Sequence, residues 1–107
     1  MEFDVQIDWL TMIHAQQKLA AEVASVVMLN LAKPKLSLRE IAKLRDQAEL
    51  GSEALNTILR ALNKKIIDEA YFFASDSLRN FWSELAVAID KREAIALRNR
   101  GVVSTRH

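Results

Sequence analysis

One proline and two glycines, Pro34, Gly51 and Gly101, are spread through 107 residues. Proline and glycine are the residues that most readily turn or break a backbone. A chain with so few of them has little room for long irregular loops. Ala, Leu, Glu, Lys and Arg, all strong helix formers, supply much of what remains, so the expected class is all-α.

Hydrophobic spacing then places the elements. A first helix over about 8–32 buries Trp9, Ile13, Ala20, Val23, Ala24, Val27 and Leu31 at helical intervals and stops before Lys33-Pro34. Beyond Val23 this helix is apolar nearly all round, with Val26, Met28 and Leu29 pointing away from the inner stripe. Such a helix is expected to be buried on more than one side, and these three residues are the candidate homodimer interface.

Ser37 and Glu40 in "SLRE" form a capping-box pattern. They open a second helix over 38–50 with Leu38, Ile41, Leu44 and Ala48 inside, and Gly51 is the expected terminator. Ser52 then starts a third helix, 53–74, on Leu55, Leu59, Leu62, Ile66, Ala70 and Phe73. "SDS" at 75–77 reads as another break. The fourth helix, 77–99, buries Leu78, Phe81, Trp82, Leu85, Ala88, Ile89 and Ala96, ahead of a frayed tail at 101–107. The expected architecture is a small antiparallel four-helix bundle, a single domain covering 1–107.

Composition limits function. Half the residues are hydrophobic and 27% are charged, with no cysteine. Disulfides, thiolate catalysis and Cys-based metal sites are therefore excluded. The start "MEFDVQIDWL" lacks the basic region and apolar core of a secretory signal. The longest apolar run, "VASVVMLNLA", is too short to span a bilayer. The expectation is a cytoplasmic protein without membrane association. His14 and His107 have no partners at metal-ligand spacing, and Asp68-Glu69 diverge on a helix, so neither a metal, a cofactor nor an enzymatic site is expected.

Net charge is only +1, but it is unevenly distributed. Residues 33–65 carry eight bases and four acids, and 90–107 carry five bases and two acids. Residues 1–32 and 66–89 each carry four acids and one base.

The segment "LSLREIAKL…SEALNTILRALNKKIIDEAY" resembles the core of winged-helix repressors. That resemblance implies a helix-turn-helix at 37–65, with Asn56, Arg60 and Asn63 reaching base edges and Lys64 a phosphate. Against it, Ser52 lies ten residues past Ala42, a longer separation than a compact turn uses, and helical spacing persists where a wing would need strands. DNA binding is thus the alternative expectation. The leading one is a regulator, inhibitor or adaptor that binds another protein through the outer face of the third helix. Arg60, Lys64, Ile67, Tyr71 and Phe72 are the candidate residues, since an exposed Ile and Tyr rimmed by Arg and Lys have the composition of an interface.

Overall fold

The computed structural model describes residues 3–62 and 68–105, with side chains described for 9–61 and 68–99. These form three helices, α1 (Phe3–Leu31), α2 (Leu38–Leu62) and α3 (Glu69–Thr105), and no strand among the described residues. The all-α class holds. The count of four helices is corrected to three, because neither Gly51 nor Ser75–Ser77 ends a helix.

A heptad seam explains all three elements. An inward series runs through buried or half-buried positions 9, 13, 16, 20, 23 and 27 in α1, 41, 44, 48, 51, 55 and 58 in α2, and 71, 75, 78, 82, 85, 89, 92 and 96 in α3, with further half-buried side chains beside it and the buried Leu59 next to Ile58. Steps of three and four alternate without a phase slip, including through Gly51 and Ser75. A strict seven-residue repeat implies helices that wrap around one another in a left-handed sense.

Gly51 lies within this seam and no described glycine adopts a positive φ. A Cβ there would sit 2.6 and 2.7 Å from Cζ2 and Cζ3 of the Trp82 ring. Gly51 is therefore a notch that admits the indole, not a helix terminator. Ser75 is accommodated differently. Its buried hydroxyl donates to the carbonyls of Tyr71 at 2.8 Å and Phe72 at 3.1 Å, so a polar side chain sits in the seam with its hydrogen-bonding need met inside its own helix.

The true breaks lie elsewhere. At the first, the reciprocal capping box forms as expected. Ser37 N donates to Glu40 Oε1 at 3.0 Å and Glu40 N to Ser37 Oγ at 3.1 Å. At the second, Asp68 caps α3: its Oδ1 accepts from Ala70 N at 2.8 Å, and its carbonyl accepts from Tyr71 N and Phe72 N. The expected helix over 53–74 therefore does not run through, since Asp68 lies outside any helix and α3 starts afresh at Glu69. At the far end α3 continues past Asn99 and Gly101 to Thr105, where the frayed tail was expected to begin.

Short links make successive helices antiparallel. Arg45 on α2 pairs with Asp90 and Glu93 on α3, and Gly51 meets Trp82. α1 and α3 then run parallel, Trp9 meeting Tyr71 at one end and Leu31 meeting Arg92 at the other. In that register α1 begins about a turn before α3 and ends more than three turns before it. At 1.5 Å per residue the staggered pair spans about 62 Å, close to the observed 64 Å length against 24 and 18 Å across.

Arg92 ties the stagger together. α1 has no basic residue in its last turn; Met28 O and Asn30 O accept from Ala32 N and Lys33 N, while the last helical carbonyl, Leu31 O, has no helical amide left to pair with. The Arg92 guanidinium donates to Leu31 O at 3.3 Å and Lys33 O at 3.1 Å, so a cation from α3 completes the negative end of α1.

Candidate interaction surface

The residues expected to bind a protein partner do not share one face. Tyr71 is 1% exposed and packs edge-on against Trp9 with ring centroids 5.3 Å apart. Burial pushes its phenol pKa up. Its expected place on an outer face is corrected: Tyr71 is a core residue. Phe73, expected in the core, is 75% exposed. Both follow from the fresh start at Asp68, which rotates α3 relative to the phase carried over from α2.

Arg60 is exposed beside Asn56 and Arg79. Phe72, one heptad before Arg79, occupies the same flank of the α2–α3 pair and is also exposed. Both of these candidates are therefore at the surface. Lys64 and Ile67 lie outside the described residues. The helix-turn-helix at 37–65 loses its premise, because Leu38–Leu62 is one helix and no turn separates a first helix from a reading helix.

Val26, Met28 and Leu29, the candidate homodimer residues, are all exposed on the single chain and diverge from one another. Val26 borders a groove between α1 and α2 that also includes Leu19, Val23, Leu50 and Gly51, with Glu22 and Gln47 at its edge. Leu50 is 68% exposed there. The groove encloses about 360 Å³ and is predominantly apolar. Gly51 helps form it for the same reason that it admits Trp82: it has no side chain. Met28 borders a second groove, between α1 and α3, with Ala24, Phe81, Glu84, Leu85 and Ala88. Leu29 projects outward between the two and is 73% exposed.

Leu50 was not singled out from sequence, because a helix ending at residue 50 leaves its last residues without an assigned face. Gln16 was also missed. It is buried in the α1 seam, where the interval between Ile13 and Ala20 required an inward residue. Among the described residues no group of three His, Cys, Asp or Glu side chains is placed to hold a metal, and no helix is long and apolar enough to cross a membrane. Compared with protein families, curated proteins and solved structures, the chain matches none.

Proposed function

We propose that this chain is a non-catalytic, cytoplasmic helical protein that acts as a regulator, inhibitor or adaptor by binding another protein. The observation that carries the reading is the open apolar groove between α1 and α2, where Val26 and Leu50 remain exposed. An amphipathic partner helix buries its apolar face in such a groove through side chains spaced i, i+3 or i+4, and i+7. Burying a side chain of this size is worth ~1.5–3 kcal/mol, and the Glu22–Gln47 edge supplies polar groups that fix orientation. The α2–α3 flank with Arg60 and Phe72 is the other candidate surface.

Affinity capture from the native cell tests this, using wild type, Leu50→Asp and a double Arg60→Ala/Phe72→Ala variant. The groove reading expects Leu50→Asp to lose the captured partner at unchanged melting temperature, while the double variant retains it. If the double variant alone loses the partner, binding lies on the α2–α3 flank. If both retain it, neither surface is the site.

A further inference from the structure

On α3, residues 81, 84, 88, 91 and 95 repeat steps of three and four, forming a second seam beside the one that faces the core. Its occupants are Phe81, Glu84, Ala88, Lys91 and Ile95. Phe81 and Ala88 are half-buried on the α1 side, whereas Glu84, Lys91 and Ile95 are exposed. The groove between α1 and α3 lies along this seam, with Met28 on the opposite wall.

The seam is nearly symmetric about its centre. Ala88, the smallest side chain, sits in the middle; Glu84 and Lys91 flank it with opposite charge; the large apolar Phe81 and Ile95 close the two ends. Reversing the helix direction therefore exchanges apolar with apolar and acid with base. That is the pattern required of an isologous twofold contact, in which one patch must complement itself.

We infer that a second copy of this chain docks here, α3 against α3 in antiparallel orientation, crossing at Ala88. In this arrangement Phe81 of each copy lies opposite Ile95 of the other, and Glu84 opposite Lys91, each contact occurring twice. Ala88 allows the two backbones to approach, and Met28 of each copy borders the partner helix. The wider charge distribution favours the same orientation. Residues 66–89 carry four acids and one base, and 90–107 five bases and two acids. Both acids of the second half, Asp90 and Glu93, are already paired with Arg45. Parallel docking would set Glu84 against Glu84 and Lys91 against Lys91, which like-charge repulsion disfavours.

The inference rests on the reading that the chain works by association. It concerns a different groove from the one proposed for a heterologous partner, and its test needs only purified protein, so either can fail alone. Sedimentation velocity is measured for wild type, Glu84→Lys, Lys91→Glu and the double exchange, with helix content checked by circular dichroism. Wild type is expected to be dimeric at micromolar concentration, each single exchange to dimerise at least ~10-fold more weakly, and the double exchange to recover the wild-type dimer. A monomeric wild type, a dimer indifferent to the single exchanges, or a double exchange that stays monomeric while folded would each overturn it.

Discussion

Adding one methyl group at Gly51 separates two physical explanations of that residue. In an exposed helix interior, Gly→Ala gains about 1 kcal/mol because alanine has less backbone freedom to lose. Here the new Cβ would fall 2.6–2.7 Å from two ring carbons of Trp82. An indole is rigid and Trp82 is buried among α2 and α3 side chains, so the strain cannot be relieved by rotating a flexible tip. Overpacking of this kind costs typically ~1–3 kcal/mol and sometimes more. Strain therefore offsets or exceeds the propensity gain, and Gly51→Ala is expected to destabilise by about 0–2 kcal/mol, or more if the ring cannot shift. The decisive comparison is Gly51→Ala in a Trp82→Leu background, where the ring is absent. There the methyl has room, and alanine should stabilise by up to about 1 kcal/mol. Urea unfolding followed at 222 nm measures all four members of the cycle. A penalty that persists unchanged without Trp82 would refute the notch and return Gly51 to a backbone role.

Tyr71→Ala removes a ring held against Trp9 in the core, so it should cost about 3–5 kcal/mol, in the range of large aromatic truncations; a melting temperature within a degree of wild type would place the residue at the surface after all. Tyr71 is the chain's one tyrosine, so absorbance near 295 nm reports it alone, and its phenol should resist ionisation above the ordinary pKa until the protein unfolds. The Glu40 carboxyl is held below its ordinary pKa first by the Ser37 backbone hydrogen bond and then by the Ser37 side chain. A depressed carboxylate pKa contributes stability above the unfolded value, about 4.3, and loses it as pH falls through the folded value. The stability gap between wild type and Glu40→Gln should accordingly close on acidification; a gap independent of pH would show that the capping box does not carry it.

How much of this was legible in the sequence depends on the residue. The α1 stripe, the Ser37–Glu40 box and the inward set Leu78, Trp82, Leu85 and Ile89 follow directly from spacing and capping chemistry. Gly51 was misread because glycine commonly terminates helices, although the interval 48–51–55 keeps the seam's phase across it and a helix break need not. Ser75–Ser77 was misread because serine is a common cap, whereas Ser75 falls in the seam and bonds back onto its own helix. Around Tyr71 two rhythms overlap. The sequence 66–70–73 next calls for Ser77, Asn80 and Glu84 and loses its apolar character, while 71–75–78–82 continues to 96. Persistence over several turns was the available signal. The notch between Gly51 and Trp82 was not legible, since it joins residues on two helices whose register depends on where each helix stops.

The continuity of α2 through Gly51 underlies the three-helix fold, the groove beside Leu50 and the loss of the helix-turn-helix. The chain has no cysteine, so Arg39→Cys/Ala61→Cys takes two spin labels at exposed positions without background labelling, and dipolar spectroscopy reads the distance between them. Twenty-two residues along one helix predict a backbone separation of about 33 Å. A separation near the ~10 Å of adjacent packed helices would put a turn at Gly51 and contradict the fold.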